Sequence, residues 1–203
     1  MTEETLSRDE LRAYTGRYAT FAGVVTVREE SGHLSTEFMG KKLRLVPRSD
    51  GMFGLRYKLL GLIPISLGEL DRVGIGRAKV SGREIVKARV GGEEVLAGER
   101  IETVPIPESW LKRVGEYEIV NAGADTVLVS GMRLRDDAGL LVVDYSLPLF
   151  SNATMGVALA PLSDGEAVIL GLGRGMGETI RVVRGDGGES LRYSGYLLRK
   201  KVR

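Results

Sequence analysis

Three groups of residues in this 203-residue chain have types or spacings that suggest chemistry. The cluster Gly171-Leu172-Gly173-Arg174-Gly175-Met176-Gly177 is rich enough in glycine to invite a nucleotide reading. A phosphate cradle needs a strand, a glycine turn and then a helix whose free amides face the anion. These glycines depart from Gly-x-Gly-x-x-Gly spacing and lead into Thr179-Ile180-Arg181-Val182-Val183, which reads as a strand. A bulged turn between strands is therefore expected. His33 is the only histidine and follows Gly32 at a hairpin signal, so it cannot form a His-rich metal site, and no Ser, Asp and His grouping can be built on it. Asp136-Asp137 resembles a carboxylate pair, but adjacent residues on a strand point to opposite faces and in a turn they face water. The absence of cysteine removes thiol nucleophiles, thiolate metal sites and disulfides. The expectation is no catalytic residue, no metal ligand and no cofactor.

Two further groups concern packing and contact. Tyr14, Tyr18, Trp110 and Tyr117 fall at equivalent or neighbouring places of a repeated pattern and read as core aromatics that close each unit at a helix. The run Leu59-Leu60-Gly61-Leu62-Ile63-Pro64-Ile65-Ser66-Leu67 is more apolar than a hairpin loop should be. It reads either as an extra core strand or bend sealing one barrel end, or as a contact surface. The segment Ser146-Leu147-Pro148-Leu149-Phe150-Ser151-Asn152 reads as the corresponding region of the second half. The candidate interaction surface is Leu59, Leu60, Leu62, Ile63, Ile65, Leu67, Leu147, Leu149 and Phe150.

Twenty-nine basic against 27 acidic residues give a formal charge of +2, and the two signs are interspersed, so nothing calls for a nucleic-acid partner. Arg199, Lys200, Lys201 and Arg203 read as a solvated chain end. The start Met1-Thr2-Glu3-Glu4-Thr5 lacks the basic and apolar regions of a signal peptide, and no run approaches the ~20 apolar residues that span a bilayer. The compartment stays open.

The elements behind these residues are strands almost throughout. Val25-Thr26-Val27-Arg28, Leu43-Arg44-Leu45-Val46, Ile85-Val86-Lys87-Ala88-Arg89-Val90 and Leu140-Leu141-Val142-Val143 are short β-branched runs punctuated by turn signals such as Glu30-Ser31-Gly32, Val80-Ser81-Gly82, Gly91-Gly92 and Asp136-Asp137-Ala138-Gly139. Helix is confined to two short starts, one after Ser7-Arg8-Asp9-Glu10 with capping-box spacing and one at Pro107-Glu108-Ser109-Trp110-Leu111. The same pattern follows each start. Leu11 to Tyr18 corresponds, with one residue dropped, to Leu111 to Tyr117. Leu45 to Gly51 corresponds to Leu159 to Gly165. Gly82-Arg83-Glu84-Ile85 with Gly91-Gly92-Glu93 and Gly98 corresponds to Gly177-Glu178-Thr179-Ile180 with Gly187-Gly188-Glu189 and Gly195. One unit repeated over residues 8–102 and 108–200, joined through 103–107, is the reading. The fold class is all-β, with two tandem antiparallel β-barrels each opened by a short helix; one larger β-barrel formed by both repeats is the alternative.

The set Leu11-x-x-Tyr14-x-Gly16-x-Tyr18, the strand end Leu45-Val46-Pro47, and Glu108 to Tyr117 with Glu166 to Thr179 in the second unit resembles the lipocalin-like domains C-terminal to serine hydrolases of the beta-lactamase and penicillin-binding-protein-like family. The resemblance covers nearly the whole chain. It implies a lipocalin-like barrel and a non-catalytic accessory role, docking in cis or in trans on a serine hydrolase catalytic domain, or self-associating, to shape substrate access or assembly. In that family the chemistry belongs to the preceding domain, with Ser-x-x-Lys, a tyrosine element and Lys-Thr-Gly. Here Ser109-Trp110-Leu111-Lys112 satisfies the first pattern alone, without those partners, and reads as chance. The alternative function is a carrier that binds a small apolar ligand inside a barrel.

Overall fold

The computed structural model describes residues 5–20, 23–38, 41–59, 63–65, 72–121, 131–147, 153–172, 177–185 and 188–202. The chain divides into two compact units, Met1–Ile101 and Glu102–Arg203. Each contains one closed eight-stranded antiparallel barrel, so the single larger barrel is ruled out.

The first unit opens with α1 (Arg8–Tyr14), whose N-terminus is capped by Ser7. The Ser7 side chain accepts from the Glu10 amide at 3.3 Å while the Glu10 carboxylate accepts from the Ser7 amide at 2.8 Å, so two otherwise unpaired helix donors are satisfied. The strands are β1 (Gly16–Thr20), β2 (Gly23–Glu30), β3 (His33–Phe38), β4 (Lys41–Pro47), β5 (Phe53–Leu59), β6 (Ile63–Ile65), β7 (Gly74–Val80), β8 (Arg83–Val90) and β9 (Glu93–Ile101). Eight of them form the ring, closed where β1 pairs with β9 and β4 with β5; β6 adds to the edge of β5 beyond the short β5–β7 pairing. The second unit has α2 (Glu108–Leu111) followed by β10 (Gly115–Ile119), β11 (Gly131–Asp137), β12 (Leu140–Leu147), β13 (Ala153–Ser163), β14 (Glu166–Ile169), β15 (Thr179–Gly185), β16 (Gly188–Tyr193) and β17 (Tyr196–Lys200), all in one ring.

Among the described residues, five two-residue turns have positive φ at both positions: Ser31-Gly32, Ser81-Gly82, Gly91-Gly92, Ala138-Gly139 and Ser194-Gly195. This is the geometry whose twist matches paired antiparallel strands, so these turns set the register of their hairpins.

The helix-to-strand junction recurs in both units. Tyr18 donates its hydroxyl to the Tyr14 carbonyl and Tyr117 donates to the Arg113 carbonyl, each at 2.7 Å. The glycine two residues earlier has φ +145° at Gly16 and +149° at Gly115. A Cβ there would meet the side chain of Arg100 at 3.1 Å or of Lys200 at 2.7 Å. Those two residues hold the same place, opposite Tyr18 on β9 and opposite Tyr117 on β17.

Anchoring the units on Tyr18 and Tyr117 corrects two of the sequence correspondences. No residue is dropped, and Leu11 is matched by Trp110; both are buried, whereas Leu111 is 42% exposed. The third correspondence is one hairpin out of step. Ile85 lies on β8 but Ile180 on β15, which occupies the place of β7, and Gly98 lies within β9 whereas Gly195 is in the β16–β17 turn. Short glycine-punctuated hairpins look alike, and only closure of the ring distinguishes one from the next.

Burial pushes the Tyr117 phenol up to about 12, against an ordinary value near 10. A phenol raised in the folded state contributes stability that is intact below about pH 10 and lost as pH climbs to about 12. Trp110 is the only tryptophan and lies in the second unit's core, so its fluorescence reports on that unit. Tyr117→Phe removes a buried hydrogen bond and is expected to lower the stability seen in a fluorescence-monitored urea titration by about 1 kcal/mol at neutral pH. The same variant should show a shallower loss of stability between pH 10 and 12 than the parent protein.

Candidate ligand cavity

Outside the bulge at Ala97 on β9, the register matches inward positions of one ring with positions of the other, and the two interiors differ. In the second barrel a continuous cluster fills the centre: Trp110, Tyr117, Met132, Leu134, Leu141, Val143, Val157, Leu159, Ala167, Ile169, Ile180, Leu191 and Leu198, with Val182, Tyr193 and Tyr196 against it. In the first barrel a smaller buried cluster, Leu11, Leu34, Leu45 and Phe53, sits where α1 packs, and above it lies a cavity of about 360 Å³.

Strand pairing explains the difference. Val25 and Val27 stand opposite Tyr18 and Gly16, just as Met132 and Leu134 stand opposite Tyr117 and Gly115. Val86 faces Arg77 on β7 where Leu191 faces Val182 on β15. Ala88 holds the level of Tyr193, and Gly98 that of Leu198. At these places on β2, β8 and β9 the first unit carries the smaller side chain; Phe53 against Ala167, Leu43 against Val157 and Arg77 against Val182 run the other way. The same backbone ring is thus filled in one unit and hollow in the other. This size is within the range of small-molecule sites, and an eight-stranded ring is wide enough to hold one small ligand when its side chains do not fill it.

The cavity wall includes Val25, Val27, Leu43, Leu55, Ile75, Val86, Ala88 and Ala97, supplied by alternate positions on six of the ring strands. Its polar groups are few and mostly occupied. Tyr18 donates to Tyr14 O at 2.7 Å, Thr20 Oγ1 to Gly23 O at 2.8 Å and Thr36 Oγ1 to Thr26 O at 2.9 Å. Burial also pushes the Tyr18 phenol up, so it stays a neutral donor. At the α1 end the cavity meets Tyr14 and Arg77, with the guanidinium carbon 3.7 Å from the centre of the Tyr14 ring. Val90 also lines the cavity and is 53% exposed.

The α2 end of the second barrel holds a polar cluster instead. Arg113 stacks over Trp110, donates to the Asp164 carbonyl at 2.7 Å, and forks onto Glu189 through Nε at 2.6 Å and Nη2 at 3.0 Å. Hydrogen bonding to Arg113 holds the Glu189 carboxyl below its ordinary range. Ser109 Oγ donates to Asp164 at 2.6 Å, and Lys112 pairs with Glu108 at 2.8 Å. The Ser-x-x-Lys pair is therefore split between two carboxylates, one tying the helix to the β13–β14 turn and one on the helix surface.

Of the proposed contact surface, Leu59 ends β5, Ile63 and Ile65 belong to β6, and Leu147 ends β12; Leu59 pairs with Ile63 and Tyr57 with Ile65. Leu60, Leu62, Leu67, Leu149 and Phe150 lie outside the described residues. The segment 146–152 does not correspond to 59–67. The strand order puts 59–67 between β5 and β7, matching the β14–β15 connection, whereas 148–152 joins β12 to β13 as 39–40 joins β3 to β4. The glycine cluster occupies that β14–β15 connection, with 173–176 outside the described residues. His33 begins β3 opposite Glu30, and Asp136 accepts from the Gly139 amide at 2.7 Å within its turn. Among the described residues no helix is long and apolar enough to cross a membrane.

The cavity residues were not picked out as a group from sequence. A signal existed in the smaller inward residues of the first repeat, but reading it required the corrected alignment. Compared with known proteins, the chain matches no family model, no curated protein and no solved structure.

The cavity costs the first unit packing. Val86→Leu, which places there the side chain found at position 191, is expected to stabilise the first unit by about 0.8 kcal/mol for the methylene added. Native-state hydrogen exchange at the amide of the fully buried Leu34 measures it.

Proposed function

We propose that the protein is a binding module that holds a small apolar ligand inside its first barrel, with the second barrel as a packed companion. The observation that carries the reading is the 360 Å³ cavity, lined almost wholly by aliphatic and aromatic side chains, in a ring whose duplicate is filled at the equivalent positions. An unfilled apolar interior forfeits dispersion contacts and the stability they bring. A ligand recovers both. The hydroxyls on the wall already donate to backbone carbonyls, so an apolar chain passing them leaves no group newly unpaired.

The experiment is a titration of the full chain with the 1-alkanols from hexanol to decanol, followed through the methyl resonances of Val25, Val27, Leu43 and Val86. Affinity should rise about fourfold per methylene, the equivalent of ~0.8 kcal/mol. Ala88→Tyr, which introduces at the wall the side chain present at position 193, should abolish binding while the protein stays folded. Alkanols that leave those methyls unmoved would refute the proposal.

A further inference from the structure

We infer that the ligand of the first barrel is an aliphatic carboxylate, its chain along the apolar wall and its carboxylate on the Nε/Nη2 edge of Arg77. This rests on the cavity reading above and assigns the ligand's chemical class.

Arg77 is the one charged residue lining the cavity among the described residues. Its place in the ring is that of Val182, which packs on the filled core of the second barrel. A valine there would have continued the apolar wall. Instead the wall carries an arginine whose guanidinium carbon lies over the Tyr14 ring, 3.7 Å from its centre.

The hydrogen bonds of this guanidinium are lopsided. Nη1 donates to the Ala13 carbonyl and, at 3.1 Å, to Glu84. Nε is buried with no hydrogen-bond partner, the only such side-chain atom among the described residues. Two other arginines show what this edge accepts. Arg113 forks onto Glu189 through Nε and Nη2, and Arg135 onto Asp144 through the same two nitrogens at 2.7 and 3.3 Å. The planar fork matches the two oxygens of a carboxylate, and such charge-assisted pairs are roughly twice as strong as neutral ones. At Arg77 the protein offers that edge no carboxylate of its own.

Charge leads the same way. Glu84, the acid that Arg77 does touch, is shared with Arg100 at 2.8 Å, so one carboxylate serves two guanidiniums. The Arg100 hydrogen bond, reinforced by the charge of Arg77, holds the Glu84 carboxyl below its ordinary range, so the acid that Arg77 touches is already engaged by a second cation. The Arg77 side chain is 24% exposed, and its Nε is covered.

The cavity volume of about 360 Å³ is that of a small-molecule site, and decanoate and 1-decanol serve as probes that share a chain and differ in head group.

The test compares decanoate with 1-decanol on the full chain, by isothermal titration and by the Nε–H resonance of Arg77, assigned through its bonds to the backbone. Decanoate should bind about ten- to a hundredfold more tightly than decanol, the worth of one charged hydrogen-bond pair. The Arg77 Nε–H signal should move with decanoate and stay with decanol. Arg77→Lys keeps the charge but removes the fork, and should bring decanoate down towards decanol. Should that variant fail to fold, the resonance in the parent protein decides alone. Decanol moving the wall methyls, with decanoate no tighter and the Nε–H signal still, would overturn the carboxylate assignment and leave the cavity standing. Neither compound binding would overturn both.

Discussion

Closure of eight antiparallel strands into a ring is the constraint from which the rest of this structure follows. Once every edge strand is paired, the interior is set by strand number and stagger, and side chains can only decide how much of it they occupy. The two rings of this chain share strand order and register at their first and last strands, down to the tyrosine that faces Arg100 in one and Lys200 in the other. Whether an interior is solid or hollow is then a matter of a few methylenes at each of several levels.

The helix ends show the same economy of means. In both units a tyrosine three residues into the strand system reaches back four residues to a helix carbonyl, and a glycine between them lets a basic side chain from the last strand lie across the junction. The arginine at this end, however, comes from different elements. In the second unit Arg113 belongs to the residues following α2 and reaches out to β16, where Glu189 completes its fork. In the first, Tyr14 holds the position of Arg113, and the arginine rises from β7. Moving the cation from the helix junction to the wall turns a structural clamp into a feature of the cavity.

This exchange leaves one copy filled and the other hollow. The second unit commits its large side chains and its arginine fork to packing. The first leaves aliphatic surface uncovered and a guanidinium edge without an acceptor, each of which lowers its own stability. Duplicated units allow such a division, because each ring has its own core.

By itself the sequence determined the class of fold and its repetition. Two-residue turns flanked by β-branched runs specify hairpins through local backbone twist, and the Gly-x-Tyr starts after each short helix mark two units. Those are short-range effects, legible within about ten residues. The tertiary structure alone decided which hairpin of one repeat answers which of the other, that Trp110 and not Leu111 matches Leu11, and that 59–67 answers the glycine-rich β14–β15 connection. It also decided the cavity, whose wall joins residues from Tyr14 to Ala97. An empty interior is a sum of volumes across strands far apart in the chain, and a free guanidinium edge is the lack of a partner in space; neither leaves a local pattern to read.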